Sequence, residues 1–142
     1  MTGTWQGLVN PLPANFATST MILLTDGRVM VQEDGTPHWW ALTPDSNGSY
    51  INGTWSVLAD MRFFRRYYAS GVLKDGRVII VGGEQSGGGG DTNKGQIYDP
   101  VSDTWTNMTS DVVPPLPGGP PPGAPRGISW VMQVVVSYQT AN

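Results

Sequence analysis

The sequence predicts an all-β fold built from two copies of a four-stranded antiparallel unit. Three observations support this fold: glycine and proline are frequent, with 19 and 12 residues, only 13% of the residues are charged, and no segment carries a sustained helical period. Short apolar runs between turn residues are typical of strands. With 142 residues and 39% hydrophobic content, the chain has enough apolar material for one packed domain.

The repeat has a period of about fifty residues. Trp5, Trp55 and Trp105 each end a Gly-Thr-Trp or Asp-Thr-Trp triplet and lie fifty positions apart. The phrase Asp-Gly-Arg-Val occurs at 26–29 and again at 75–78, a spacing of 49. Two independent markers therefore report one period, which indicates a repeat of about fifty residues.

Five segments follow from this period. Residues 1–10, with "GTWQGLV", predict a lone fourth strand of a preceding or partner unit. Residues 11–60 predict four strands at "TSTMILL", "RVMVQ", "HWWAL" and "GTWSVLA", and residues 61–110 predict four more at "YASGVL", "RVIIVGG", "GQIYD" and "DTWTNM". Residues 111–127 are rich in proline and glycine and predict an extended linker. Residues 128–142 predict an apolar strand that docks on the domain or on another chain.

Turn residues join the predicted strands. An Asp-Gly pair stands between the first two strands of each unit and predicts a tight hairpin, because both residues tolerate positive φ. "DPVSD" at 99–103 predicts the turn between the last two strands of the second unit.

The second unit resembles a known repeat. Four apolar residues run into Gly82 and Gly83, and Tyr98 and Trp105 follow within the same unit. This arrangement resembles the kelch repeat, which forms one blade of a β-propeller. The sequences of the two units look most similar to those of bacterial kelch proteins and of the central domain of galactose oxidases. The resemblance covers roughly residues 3–108 and implies kelch-type propeller blades.

The first unit departs from the kelch pattern. Glu33 and Asp34 replace the double glycine, and Leu42 stands where the tyrosine is expected. Propellers close with about four to eight blades, and two blades cannot close a ring. The resemblance therefore implies that the ring is completed either by missing blades of a longer chain or by a homo-oligomer of two or three chains.

Composition excludes several classes of partner. The net charge is −3 and the isoelectric point is about 4.8, so a nucleic-acid partner is not expected. The sequence has no cysteine, which excludes disulfides and thiolate metal sites. Neither a signal peptide nor a membrane span is expected in this stretch. An extracellular location is the weakly favoured expectation.

A candidate ligand site lies on one predicted face of the blades. In the kelch arrangement, the loops between the second and third strands share a face with the connections between blades, and in the family that face usually holds the ligand. The candidate ligand-binding residues there are His38, Trp39, Arg62, Arg65, Arg66, Tyr67 and Glu84. Arginine offers fork-shaped donors and aromatic rings stack on sugars, so the expected ligand is a protein or a glycan. The alternative is that the aromatic residues are core and the arginines are solvated edge charges.

Catalysis and metal binding are not expected of this chain alone. The copper site of galactose oxidases, as the resemblance implies it, combines two histidines, two tyrosines and a cysteine, whereas this chain has His38 alone and no cysteine. The stretches starting at Asp45 and Asp91 resemble the opening of a calcium loop but lack the later glutamate. We therefore expect no cofactor, no metal site and no catalytic residue.

Asparagine-linked glycosylation is a further candidate. Asn47, Asn52 and Asn107 each begin an Asn-x-Ser/Thr triplet in or near a predicted turn. Such triplets also arise by chance in chains rich in serine and threonine, so an export route would decide whether they are used.

Three functions remain open at this stage. The leading interpretation is a non-catalytic kelch-type module for binding or assembly. A second is a fragment of a galactose-oxidase-like or carbohydrate-active enzyme whose catalytic residues lie elsewhere. The third is a structural subunit that polymerises by strand addition. The step from a kelch fold to any of them is an analogy, because fold alone does not fix function.

Overall fold

The computed structural model describes residues 3–13, 16–84, 92 and 94–108. These residues form two four-stranded antiparallel sheets with strand orders β1-β2-β3-β4 and β5-β6-β7-β8. The strands are β1 Thr18–Leu23, β2 Val29–Glu33, β3 Trp39–Thr43, β4 Thr54–Leu58, β5 Ala69–Val72, β6 Val78–Val81, β7 Gly95–Asp99 and β8 Thr104–Asn107. The described part of the chain contains no helix that could cross a membrane. The predicted all-β fold of two four-stranded units is confirmed.

The Asp-Gly turns close both inner hairpins in the same way. In the first turn the Leu24 amide donates to the Arg28 carbonyl at 2.8 Å, and Gly27 has a φ of 87°. In the second, Leu73 donates to Arg77 at 2.7 Å, and Gly76 has a φ of 88°. Only the glycine adopts positive φ in each turn. The prediction also relied on the tolerance of aspartate for positive φ, but the aspartate does not adopt it. Its carboxylate instead accepts a hydrogen bond from the backbone amide of the arginine two positions later.

The register shows that the two sheets are copies of one unit. Tyr98 pairs with Val78 on one side and with Trp105 on the other. Leu42 pairs in the same way with Val29 and Trp55. The first unit therefore keeps the strand register of the second although leucine replaces the tyrosine.

One apolar core joins the two sheets. Strand side chains alternate between the two faces of a sheet, and one face of the first sheet packs on one face of the second. The buried members of this core are Ile22, Leu24, Met30, Trp39, Ala41, Leu58, Met61, Val78, Ile80 and Tyr98. Trp105 packs against it, with its ring centroid 5.7 Å from that of Trp39 and 5.1 Å from that of Tyr98.

A polar link at Asp103 reinforces this contact. Asp103 accepts a hydrogen bond from the Tyr98 hydroxyl at 2.8 Å within its own sheet, and from the Ala59 amide at 2.9 Å beyond the end of the first sheet. Burial, followed by this carboxylate, raises the pKa of Tyr98, so the phenol stays protonated and donates. Asp103 has a φ of 52°, which aspartate tolerates better than most residues.

Some predicted segments lie outside the described residues. The linker at 111–127 and the apolar strand at 128–142 are among them, as is most of the glycine-rich loop, at 85–91. Residues 3–10 are described and form no strand within this chain, so their role as a fourth strand for another blade stays a prediction.

Candidate functional site

Three connections meet at one end of the two sheets. They are the β2–β3 loop, the long β4–β5 connection and the start of the β6–β7 loop. Arg66 lies in the β4–β5 connection and contacts both loops. Its backbone pairs with that of Glu84, by an N···O distance of 3.0 Å in one direction and 2.8 Å in the other. Its guanidinium binds both carboxylate oxygens of Asp34, at 2.8 Å through Nε and 2.7 Å through a terminal nitrogen. Arg66 thus ties the two units together.

A shallow groove opens beside this ion pair. Its volume is about 290 Å³, and its lining is Ser19, Thr20, Asp34, Arg66, Tyr67 and Tyr68. The first two residues lie in β1, and the two tyrosines immediately precede β5. The groove therefore lies at the boundary between the two sheets.

Tyr67 is an exposed aromatic residue of the groove. It is 60% exposed, and its φ is 55°, a region that costs a non-glycine residue about 1–3 kcal/mol. The strain has a local cause. The backbone of Arg66 is fixed by Glu84, while Tyr68 must turn inwards, so Tyr67 takes up the change of direction and presents its ring to solvent.

A buried polar layer supports the groove from below. The Tyr68 hydroxyl and the Ser19 hydroxyl both donate to Oε1 of Gln32, which is fully buried. Gln32 in turn donates through Nε2 to the carbonyls of Arg65 and Thr36. Burial raises the pKa of Tyr68, so its hydroxyl keeps its proton and its position as a donor.

Arg65 is a structural residue in this arrangement. It is fully buried, and its guanidinium donates to the carbonyls of Gly82 and Lys94 at 3.1 and 2.9 Å and to Oε1 of Gln96 at 3.3 Å. Burial lowers the pKa of this guanidinium, which still carries its charge because arginine ionises far above neutral pH. Arg65 was predicted as a ligand contact, with a solvated edge charge as the alternative. Its side chain instead holds the strand ends on either side of the β6–β7 loop.

The other predicted site residues lie apart from the groove. Trp39 is fully buried in the core between the sheets. His38 is exposed and pairs with Asp60, with 2.8 Å between Nδ1 and Oδ1. Arg62 is exposed and stacks over the ring of Phe63, 5.1 Å from its centroid. Of the seven candidates, only Arg66 and Tyr67 line the groove, and Glu84 supports it through its backbone.

Four groove residues are not among the seven candidates. Ser19 and Thr20 fall within a predicted strand. Tyr68 stands beside the candidate arginines and Tyr67, and Asp34 falls in a loop of the predicted ligand face. The sequence offered one signal for Asp34. It carries a negatively charged side chain where the kelch pattern has a glycine, and such a carboxylate can form an ion pair with an arginine.

The candidate glycosylation residues are all exposed. Asn47 and Asn52 lie in the β3–β4 loop, and the side-chain amide of Asn52 donates to Asp45 at 3.2 Å. Asn107 ends β8, and its side-chain oxygen accepts a hydrogen bond from Gln96 at 2.9 Å. Their modification stays a prediction.

Comparison with known proteins gives a match to a family motif and several relatives. The Kelch motif matches residues 65–111. A galactose oxidase of Gibberella zeae is 34% identical over 91 residues, which are 64% of this chain and 12% of that protein. The F-box protein AFR of Arabidopsis thaliana is 38% identical over 56 residues, or 39% of this chain and 15% of that one. The chain thus spans about an eighth of the galactose oxidase that it matches.

A solved structure adds a fold comparison. It is described as a novel fungal alcohol oxidase of the AA5 family in complex with copper. It is similar to this chain with a TM-score of 0.53 and 28% identity, covering 69% of this chain and 20% of that protein.

The groove residues do not by themselves fit a copper site. The groove offers two phenols and a carboxylate that already binds Arg66, and neither histidine nor cysteine lines it. Within the described ranges, no three residues among histidine, cysteine, aspartate and glutamate are close enough to hold a metal ion.

Sheet order, register and the matched motif agree on one architecture. The described part of this chain consists of two adjacent blades of a kelch-type β-propeller.

Proposed function

We propose that this chain is a kelch-type binding module whose groove between the two blades takes a neutral, hydroxyl-rich ligand, namely a glycan. The observation that carries this proposal is Tyr67, whose ring is exposed beside the groove at the expense of a strained backbone. Strained backbone tends to cluster at functional sites, and an exposed aromatic ring can stack on the apolar face of a sugar.

The polar lining favours a neutral ligand over an anion. Arg66 and Asp34 already neutralise each other through two hydrogen bonds, so the groove has no uncompensated positive charge to attract a carboxylate or a phosphate. The same pair presents donors and acceptors side by side, and the hydroxyls of Ser19 and Thr20 add acceptors, the Ser19 hydroxyl while it donates to Gln32. Sugar hydroxyls need this mixture.

The test is a binding survey with matched variants. The purified chain is screened against neutral and acidic oligosaccharides, and the best ligand is titrated by calorimetry. Tyr67→Ala should weaken binding about tenfold, since an aromatic contact contributes about 0.5–1.5 kcal/mol beyond its burial. Val101→Ser is the control, because Val101 is fully exposed in a turn of the second sheet and is not part of the groove.

Three results would overturn the proposal. These are equal affinity of the Tyr67→Ala variant and the wild type, a preference for acidic sugars, and binding only to a protein. The last result would assign the groove to the other ligand class considered for this fold.

A second candidate function is a role as two blades of a larger oxidase. Its support is the 34% identity to galactose oxidase over 91 residues. Since this chain has one histidine and no cysteine, such an enzyme would draw its catalytic residues from outside these two blades. The test is to express the complete gene product, load it with copper and assay oxidation of galactose and other primary alcohols. Absence of oxidation by the loaded product would contradict this function.

A further inference from the structure

The first sheet has an open apolar face. Opposite the core it carries two rows of side chains that are in register across all four strands: Met21, Val31, Trp40 and Val57, and Leu23, Val29, Leu42 and Trp55. On this face Met21, Leu23 and Val57 are between 61% and 64% exposed, whereas Val31 and Leu42 on the two central strands are buried. The ring of Phe16 stacks on Trp40, with 5.8 Å between their centroids, so the chain itself covers part of the face. An apolar face of this size normally packs against another surface.

The second sheet shows what kind of surface that is. The row equivalent to Leu23, Val29, Leu42 and Trp55 is Val72, Val78, Tyr98 and Trp105, and it packs on the first sheet in the common core. Val78 and Tyr98 are fully buried there. By this equivalence, the open face is a blade-packing face without its blade.

The N-terminal segment already occupies part of that missing blade. Trp105 donates from Nε1 to the carbonyl of Ala59, the first residue after β4, at 2.8 Å. Trp55 makes the equivalent bond, from Nε1 to the carbonyl of Asn10 at 3.1 Å. Asn10 therefore occupies the same position relative to the first sheet as Ala59 occupies relative to the second sheet.

Further contacts fix the same placement. The Asn10 side chain donates to the Gly53 carbonyl at 2.8 Å, and the Val9 amide donates to the Ile51 carbonyl at 2.8 Å. Val9 and Asn10 therefore contact the first sheet as the end of a fourth strand contacts the next blade, and residues 3–8 precede them. Trp5, fifty positions before Trp55, is fully exposed.

We propose that residues 3–9 are the fourth strand of a third kelch blade, and that the open face of the first sheet binds strands one to three of that blade. The partner is a three-stranded antiparallel kelch sheet with an apolar face and a free outer edge. A complete four-stranded blade does not fit, because its fourth strand would overlap residues 3–9. The assignment is independent of the ligand proposed for the groove.

The experiment supplies such a partner from the chain's own repeat. A second copy of residues 61–102, which carries β5, β6 and β7, is fused directly ahead of Gly3 in the full chain. Gly3-Thr4-Trp5 then follows Ser102 of the added copy, as Asp103-Thr104-Trp105 does in the original. The added segment contains no tryptophan, so the fluorescence of Trp5 can be isolated by comparison with a Trp5→Phe variant.

The expected result is burial of Trp5. Acrylamide should quench Trp5 freely in the original chain and several-fold less in the extended chain, and the melting temperature of the extended chain should rise by several degrees. The matched control carries Ile79→Asp and Ile97→Asp in the added copy only. These two paired residues lie on the face opposite Val78 and Tyr98, so they would contact the open face.

Two outcomes would overturn the proposal. The first is that acrylamide quenches Trp5 as strongly in the extended chain as in the original chain, or that the control with the two aspartates protects Trp5 as well as the extended chain does. The second is self-association of the original chain, measured by light scattering, that Leu23→Asp abolishes. That outcome would make a second copy of this chain the occupant of the face.

Discussion

Two neighbouring arginines at the boundary between the blades have different roles. Arg65 is fully buried and donates to backbone carbonyls on both sides of the β6–β7 loop. Arg66 is half-buried, binds Asp34 and lines the groove. Successive side chains of an extended segment point in opposite directions, so adjacent residues of the same type can serve stability and binding separately.

Replacing Arg65 tests its structural role. Arg65→Met should lower the free energy of unfolding by about 3 kcal/mol, because buried carbonyls and Gln96 lose a charged donor. Arg62→Met, an exposed neighbour, should change it by less than about 0.5 kcal/mol. Urea unfolding followed by tryptophan fluorescence measures both. Equal stability of the two variants would contradict a structural role for Arg65.

The sequence could not separate these roles because burial depends on tertiary contacts. The letters "FFRRYY" give no period that distinguishes Arg65 from Arg66, and the partners of both lie on other strands and loops. Tyr67 presents the same difficulty, because its positive φ results from the pairing of Arg66 with Glu84 and the inward turn of Tyr68. The sequence places Arg65, Arg66 and Tyr67 next to each other along the chain, but its local pattern does not identify which of them face solvent.

At the scale of the element, the sequence was far more informative. The eight predicted strands all occur, with ends that differ by one or two residues, since hairpin turns and alternating apolar residues are local features. The glycine pair after β6 is also explained locally. Gly82 and Gly83 have φ values of 68° and 101°, and a Cβ on Gly83 would lie 2.6 Å from the carbonyl oxygen of Arg66.

The Asp-Gly-Arg turn makes the stability of the hairpins depend on pH. Hydrogen bonds from the Arg77 side chain and then from its backbone lower the pKa of Asp75 below the usual 3.8. The folded state therefore binds fewer protons than the unfolded state around that pH. The stabilisation by Asp75 is fully present above the unfolded pKa and is lost as the pH falls through the folded value.

Asp75→Asn should remove this contribution. At pH 7 the variant should melt below the wild type, and the gap should close as the pH is lowered from about 4 to 2, where the wild-type carboxylate is protonated as well. Lys74→Gln, in the same turn, should keep the wild-type pH profile. Thermal melts at several pH values make the comparison, and a gap that persists unchanged at pH 2 would show that Asp75 acts other than through its charge.

At the scale of the whole molecule, the two blades share one core instead of having one each. Side chains from both sheets meet between them, and two polar contacts join the sheets as well. Asp103 in the β7–β8 turn accepts from the Ala59 amide just after β4, and Asp34 in the β2–β3 loop accepts from Arg66 beside the groove. The groove exists only while the blades stay packed, so binding and blade packing should be lost together.

This common core predicts that the two blades unfold as one unit. Ile80 lies in the second sheet, is fully buried and belongs to the common core, so Ile80→Ala should lower the free energy of unfolding by about 2–5 kcal/mol. Val57 lies on the open face and is 63% exposed, and Val57→Ala should cost less than about 0.5 kcal/mol. Native-state hydrogen exchange then reports on each sheet separately. In the Ile80→Ala variant, the amides of β2 should lose protection in parallel with those of β6, although the substitution lies in β6. Continued protection of β2 after β6 has opened would show that the first blade is stable without the second.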